Sequence, residues 1–328
     1  MFCAGRASGA DYGLKTPVFK FTPDFAVDGV YYSIIDDGVA VTREEGTVEN
    51  TLSYNVETFT VPSSVVHEGV TYPVVSIVDG TFHKDRTLKK IVLPEGFRRI
   101  GQYAFDQSEI TEINFPTTLK VIAPHAFRLC YGLTSITIPD DVASLSIGED
   151  AFAGCKNISI FRIGRGVKRM GENSLGTCNW YEYGNGNGSG YISMPVMLDR
   201  LYSPFEVPPS GFGPLFNSWL YDGGPYYLYI DCVLHVPVGS AELYKKAENW
   251  KDFIRIVEDP ELSSIKDVMT GEGSIRAEAG RIVGEGVLEV YDFGGRMIAR
   301  GRAEELPVFP AGFYIVRNAT STAKVAIR

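Results

Sequence analysis

The chain has 328 residues, a net charge of −9 and five cysteines, with 45% apolar and 22% charged side chains. That length supports two or more cores, and the composition is globular rather than disordered. The acidic balance argues against nucleic acid as the main partner, which calls for a basic footprint, and no apolar run reaches the length of a membrane span.

Residues 1–16 lack the apolar core of a signal peptide and read as a disordered or trimmed terminus. Residues 17–50 follow as strands around tight turns, marked by Asp28-Gly29 and Asp36-Asp37-Gly38. Tyr31 to Ile35 is expected to pair with Val39 to Thr42 as a hairpin that covers the first repeat, because the end of a repeat stack exposes apolar surface and an unpaired strand edge.

Residues 51–258 are organised by a pattern that recurs every 22 to 25 residues in its clearest part. One half of each unit runs Leu88, Ile91, Leu93, Pro94; Ile110, Ile113, Phe115, Pro116; Leu133, Ile136, Ile138, Pro139; then Ile158, Phe161, Ile163, with Gly164 in place of proline. An earlier copy reads Val56, Phe59, Val61, Pro62. The other half places Ile77 before Phe82, Ile100 before Phe105, Ile122 before Phe127, Ile147 before Phe152 and Met170 before Leu175, always by five residues. A unit this short cannot bury its apolar face alone, so stacking into a solenoid is predicted. The alternation in the first half is that of a strand, and proline turns the chain off the sheet. The Ala-Phe pairs at Ala104-Phe105, Ala126-Phe127 and Ala151-Phe152 read as short helical turns that plug an aromatic ring between the two sides.

The string LTSITIPDDVASLSIGEDAFAGC resembles the BspA-type leucine-rich repeat of surface proteins from Bacteroides and related bacteria. The resemblance extends in looser form from about Phe25 to Glu258. It implies a right-handed solenoid displayed outside the cell for adhesion, no catalytic residues, and a secreted or surface location whose leader is missing from these residues. The departures are an insertion at Leu145-Ser146, a long excursion between Pro62 and Ile77, and Leu175 where phenylalanine is usual.

Cys130, Cys155 and Cys178 share one repeat position, which reads as a column of buried thiols; a disulfide between neighbours stays open. His67, His83, His125 and His235 fall in different repeat phases, so no stacked histidine site is expected. No metal spacing, cofactor motif or catalytic string occurs, and Asp140-Asp141 reads as a solvated turn. The chain is read as a non-enzyme with no cofactor and no metal.

After Leu175 the period fades into an irregular insert over residues 180–230, rich in glycine and aromatics, whose YEYGNGNGSGY segment reads as a flexible loop. Trp180, Tyr181, Tyr183, Trp219, Tyr221 and Tyr227 form a candidate binding set there, since Tyr and Trp pair an apolar face with a polar edge. One more unit returns at Leu234, Val236 and Pro237. It leads into a predicted capping helix over 241–254, with Ser240 as N-cap and Leu243, Ala247, Trp250 and Ile254 on one face. The same stretch resembles the terminal repeat of BspA-type proteins, which matches Pro237, Tyr244, Trp250 and Phe253.

Residues 259–272 read as a linker and 273–328 as a small antiparallel β-sandwich, with strands at Val287 to Val290, Met297 to Ala299, Phe313 to Val316 and Ala323 to Ile327. The strings LEVYDFGGRMIARG, LPVFPAGFYIVR and AKVAIR resemble type 9 secretion sorting domains; an inert spacer or a contact between copies is the alternative. The fold class is therefore mainly β, a leucine-rich repeat solenoid of parallel strands plus a small C-terminal antiparallel sandwich.

Strand alternation names two outward columns, Thr58, Thr60, Lys90, Val92, Glu112, Asn114, Ser135, Thr137, Ile160 and Arg162, which suit a polar protein or glycan partner. Arg162, Arg165, Lys168 and Arg169 form a basic cluster suited to a sulfated glycan or an acidic protein patch. Adhesion through the columns, glycan capture on the aromatic insert, and a non-binding scaffold remain open, as does the oligomeric state.

Overall fold

The computed structural model describes residues 19–47, 54–176, 178–182, 190–194, 198–216, 232–263, 275–278, 281–291, 297–309, 312–318 and 322–327. The solenoid has two parallel sheets on either side of one core. The first sheet is built by the strands ahead of each proline. Thr58–Thr60, Lys90–Val92 and Glu112–Ile113 form one group, and Ser135–Thr137, Ile160–Arg162, Arg200–Tyr202, Val233–Val236 and Arg255–Glu258 form a second group of five. Their inward residues Phe59, Ile91, Ile136, Phe161, Leu201 and Leu234 are all buried.

The return side of each coil is also a sheet. Val70–Ile77, Arg99–Ile100, Val121–Ile122, Leu145–Ile147 and Val167–Met170 stack in parallel, with Ile77, Ile100, Ile122, Ile147 and Met170 in the core. In the last pair Leu145 meets Val167 and Ser146 meets Arg169, so Lys168 is the extra residue of a β-bulge. The Gly of the Ile-Gly step is required by how closely coils approach. A Cβ on Gly101 would lie 2.7 Å from the Ile77 carbonyl oxygen of the neighbouring coil.

The segments around each Ala-Phe pair are turns rather than the helical turns expected from the sequence. Their amides alternate: Ala104, Asp106 and Ser108 donate three residues back within the turn, while Tyr103, Phe105 and Gln107 donate to Pro124, Ala126 and Arg128 of the next coil. The alternation needs a left-handed residue two positions on either side of each phenylalanine. Lys84, Tyr103, Gln107, His125, Leu129 and Asp150 all have φ between 53° and 59°. Non-glycine residues rarely adopt this conformation, which costs on the order of 1 kcal/mol or more each. The inter-coil hydrogen bonds hold them there. Phe82, Phe105, Phe127 and Phe152 stack through the centre with ring centroids 5.0 to 5.1 Å apart and planes within 4°.

The period does not end at Leu175. Arg200–Tyr202 joins the first sheet, Phe212 bridges to Met170, and the Leu175 N–H donates to the Leu215 carbonyl, which makes residues 198–216 a further coil. What interrupts the pattern is an antiparallel hairpin, Cys178–Glu182 with Gly190–Met194, inserted between coils; the YEYGNGNGSGY segment is strand at both ends.

At the N-terminal end, Phe25–Val27, Val30–Ile35 and Gly38–Val41 form an antiparallel meander whose last strand pairs in parallel with Val70–Ile77. The excursion after Pro62 is a hairpin, Ser64–His67 with Val70–Ile77, turned by Glu68 and Gly69 at φ 49° and 80°. At the far end the predicted helix is only Ala241–Tyr244, followed by turns in which Asn249 is left-handed. Ser240 makes no side-chain cap. Leu243 and Ile254 are exposed, and Tyr244, Trp250 and Phe253 fill the end of the core instead. Arg255–Glu258 then forms the last strand, and a 3-10 turn over Pro260–Leu262 follows, capped by the Asp259 carboxylate.

In the C-terminal region, Met297–Arg302, Val287–Tyr291, Gly312–Arg317 and Thr322–Ile327 form an antiparallel sheet, accompanied by the hairpin Ile275–Glu278 with Arg281–Gly284. It has its own core of Ile275, Ile282, Leu288, Val290, Phe309, Val316 and Val325.

The register predicts that Phe127→Ala destabilises the chain by about 3–5 kcal/mol, whereas Thr137→Ala on the outer face changes stability by less than about 0.5 kcal/mol. Urea denaturation of the two variants checks this, and equal tolerance would mean that the assignment of inner and outer faces is wrong.

Candidate functional site

The outer face of the first sheet is the surface that the alternation presents. Thr58, Thr60, Glu112, Ser135 and Thr137 are exposed, and Lys90, Val92, Ile160 and Arg162 are half-buried. Neighbours in the columns pair across coils, as Lys90 Nζ does with Glu112 Oε1 at 2.5 Å. Asn114 has a structural task, since its amide accepts from the Leu93 N–H at 2.7 Å and donates to the Leu93 carbonyl at 2.8 Å.

The columns run further than the sequence indicated. From Ser135 and Ile160 one continues through Arg200, Val233 and Arg255; from Thr137 and Arg162 the other continues through Tyr202, His235 and Val257. The second column is stacked. The Arg162 guanidinium lies 3.6 Å from the Tyr202 ring centroid, and that ring stacks on His235 at 4.3 Å and 21°. His235 Nδ1 sits 3.2 Å from an Asp259 carboxylate oxygen. Tyr202 is thereby only 4% exposed although its strand position faces outward. Cation–π contact and ring stacking fix these side chains before any partner arrives.

The four residues of the predicted basic cluster are not gathered in one patch. Arg162 lies on the first sheet and Lys168 and Arg169 on the second. Arg165 is consumed by structure: its Nε binds Asp140 at 3.2 Å, Nη1 donates to the Pro204 carbonyl at 2.9 Å and Nη2 to the Leu262 carbonyl at 2.7 Å. Asp140 stays an exposed turn acid, as expected, and also pairs with Arg165. Of the aromatic insert set, Tyr183, Trp219, Tyr221 and Tyr227 lie outside the described residues, and Trp180 and Tyr181 are described only as backbone of the inserted hairpin.

Cys130 and Cys155 are buried thiols outside any disulfide, each donating 2.9 Å to the carbonyl of a phenylalanine one coil back, Phe105 and Phe127. Their column also holds Ser108 and Asp85, whose carboxylate accepts from the Thr87 and Leu88 amides.

Two buried polar columns escaped the sequence reading. The residue after each phenylalanine gives His83, Asp106 and Arg128: His83 Nδ1 lies 3.0 Å from Asp106, and Arg128 grips the same carboxylate at 2.7 and 3.1 Å. The left-handed position two before gives Tyr103, His125, Asp150 and Asn173. Tyr103 stacks on His125 at 4.6 Å, His125 Nδ1 stands 3.6 Å from Asp150, and Asn173 donates to Asp150. Arg128 lies over Tyr103 and ties the columns together. The signal was present as Phe-His, Phe-Asp and Phe-Arg at one repeat phase.

Burial in these turns sets the charges. It pushes His125 down to about 4, with the Arg128 cation adding to the effect. Burial alone would raise Asp106, but the hydrogen bond from His83 and the Arg128 guanidinium outweigh it and hold the carboxyl below its usual range. Among the described residues no group of three or more His, Cys, Asp and Glu is arranged to hold a metal ion, and no helix is long and apolar enough to cross a membrane.

Residues 53–182 match the family described as BspA type leucine rich repeat region, in six copies. No curated protein matches the chain. A leucine-rich repeat protein of T. pallidum is similar at 25% identity and a TM-score of 0.41, over 56% of this chain and 72% of that one. A leucine-rich repeat protein of Bacteroides ovatus is similar at 23% identity and a TM-score of 0.36, over 55% of this chain and 47% of that one. The pneumococcal vaccine antigen PcpA is similar at 17% identity and a TM-score of 0.37, over 70% of this chain and 47% of that one. The chain therefore spans about half the length of the last two.

Two outcomes test the buried columns. Asp106→Asn removes the carboxylate that Arg128 and His83 share and is expected to cost about 3–5 kcal/mol in urea denaturation. His125 binds a proton more tightly when unfolded, at about 6.5, than when folded, at about 4. Its contribution, on the order of 3 kcal/mol, is therefore complete above pH ~6.5 and is lost as pH falls toward 4. His125→Phe, which keeps the stack on Tyr103, should flatten the pH dependence of stability across that window; an unchanged slope would remove His125 as its source.

Proposed function

We propose that the chain is a secreted or cell-surface binding protein, non-enzymatic, that recognises an extracellular macromolecule on the outer face of its first sheet. The observation that carries this reading is the contrast between two sets of side chains. Groups with chemical potential on the turn side, His83, Asp106, Arg128, His125 and Asp150, are buried and face one another, with Arg128 paired to Asp106. The sheet columns present a regular array of exposed threonine, serine and charged side chains on a rigid backbone. Such an array offers many positions of moderate polarity at fixed spacing, which suits a wide, shallow contact with a large partner better than a small molecule held in a cavity. The match of residues 53–182 to BspA-type repeats supports the surface location.

The C-terminal sheet, with a core separate from that of the solenoid, is read as a module for export or attachment. Its resemblance to type 9 sorting domains rests on its sequence strings.

Binding of the full chain to an array of matrix proteins and glycans tests the reading. Saturable binding that falls about tenfold in a Ser135→Glu, Thr137→Glu variant, with unchanged melting, is the expected result, a loss of about 1.4 kcal/mol. If alanines at Trp180, Tyr181 and Trp219 abolish binding while the column variant leaves it intact, recognition belongs to the insert. Silence at every spot leaves a scaffold.

A further inference from the structure

The outer face of the five-stranded group differs from the rest of the molecule in charge. Its two columns, Ser135, Ile160, Arg200, Val233, Arg255 and Thr137, Arg162, Tyr202, His235, Val257, contain three arginines and no carboxylate, in a chain of net charge −9. Arg200 and Arg255 are exposed, and neither forms an ion pair among the described residues. Arg162 is held by its stack on Tyr202. Arg200 and Arg255 are the cations that the sequence cluster missed, because they are far apart along the chain and join Arg162 only through strand pairing.

We propose that this face docks an acidic, extended segment of a partner protein whose carboxylates recur every third residue. The inference rests on reading the sheet face as the binding surface and adds the chemistry of the partner. Spacing argues for it. Ile160, Arg200, Val233 and Arg255 occupy successive paired strands. Strands lie about 4.7–4.9 Å apart, so Arg200 and Arg255 stand roughly 9.5 Å apart with Val233 between them. A polyproline II segment rises about 3.1 Å per residue with three residues per turn, which returns a side chain to the same face every ~9.3 Å. Carboxylates at i and i+3 of such a segment reach both guanidiniums, each in a bidentate, charge-assisted geometry that arginine favours.

The apolar positions decide between classes of anionic partner. Ile160 and Val233 are half-buried, and Val257 is 45% exposed beside Arg255. A polypeptide covers such ledges with its proline or valine side chains, whereas a sulfated polysaccharide leaves them wet. The extended conformation also loses little entropy on docking, because polyproline II is already populated in free chains.

The test uses the full chain and a fluorescein-labelled peptide, (Glu-Pro-Val)4, read by fluorescence anisotropy at low and high salt. The comparisons are (Lys-Pro-Val)4, a peptide with glutamate every fourth residue, and heparin. Binding of (Glu-Pro-Val)4 that weakens with salt, and that drops at least about tenfold in an Arg200→Glu, Arg255→Glu variant of unchanged melting temperature, is the expected result. Both residues are exposed, so the variant is expected to fold. Equal affinity of wild type and variant, equal affinity for the two glutamate spacings, or preference for heparin each overturns the proposal. If the Ser135→Glu, Thr137→Glu variant loses a matrix partner while the arginine variant keeps it, the sheet face remains the binding surface and the acidic-segment proposal alone fails.

Discussion

Every coil must satisfy its backbone through the coils above and below it, and that constraint shapes the rest of the solenoid. The two sheets do this with ordinary parallel pairing. The turn side obeys the same spacing through left-handed residues two positions before and after each phenylalanine, so that every second amide reaches the next coil, as Phe82 N–H does to the Ala104 carbonyl at 2.7 Å and Phe105 N–H to Ala126 at 2.8 Å. The phenylalanine rings then stack at the interval the backbone sets. Coil-to-coil hydrogen bonding also explains why left-handed Leu129 and Lys84 persist without glycine. Their strain is local, while the bonds it permits are repeated down the stack.

The same repetition turns single buried polar residues into columns. A charge at the turn position after phenylalanine has no water available and must find its partner one coil away. Asp106 finds two, His83 on one side and Arg128 on the other. A buried ion pair of this kind contributes little net stability compared with apolar packing, but removing one member strands the others. The pairing therefore acts on the order of coils: a coil carrying Asp106 fits between those carrying His83 and Arg128, and the uncharged Ala153 closes the series.

Much of this architecture was legible because strand alternation and the Ile-to-Phe interval are direct consequences of stacking. Ile91, Ile136, Phe161 and Phe127 lie in the core as their phase required. The losses have physical causes. The coil over 198–216 was hidden because its strand offers Leu201 as its only buried aliphatic residue and a hairpin separates it from Leu175. The Ala-Phe turns looked helical because their within-turn bonds are three residues long, and nothing in a leucine or lysine announces a left-handed backbone. The end cap was read as a long helix from apolar spacing, but left-handed Asn249 breaks it and turns Trp250 and Phe253 inward. Of the candidate site, the columns through Arg162 were readable, whereas Arg200 and Arg255 required knowing which strands are neighbours.

This division of the molecule into a buried turn side, whose polar groups face one another, and an exposed sheet face bears on how recognition evolves in such a chain. A substitution among His83, Asp106 and Arg128 disturbs folding, since each residue answers to a neighbouring coil. One at Arg200 or Arg255 changes only what the face attracts, because the backbone beneath is fixed by pairing on both sides of Arg200 and by Val233–Val236 beneath Arg255. In a protein whose summed charge repels anions, two columns with three arginines and no carboxylate of their own are also a local exception in the electrostatic field. An acidic partner meets repulsion elsewhere and attraction there, so orientation is selected during approach as well as after contact. The stack of Arg162, Tyr202 and His235 adds a rigid edge to that face, and rigidity lowers the entropy lost on binding. Specificity then resides in the spacing of charges along the solenoid axis, a quantity that the coil-to-coil hydrogen bonds themselves determine.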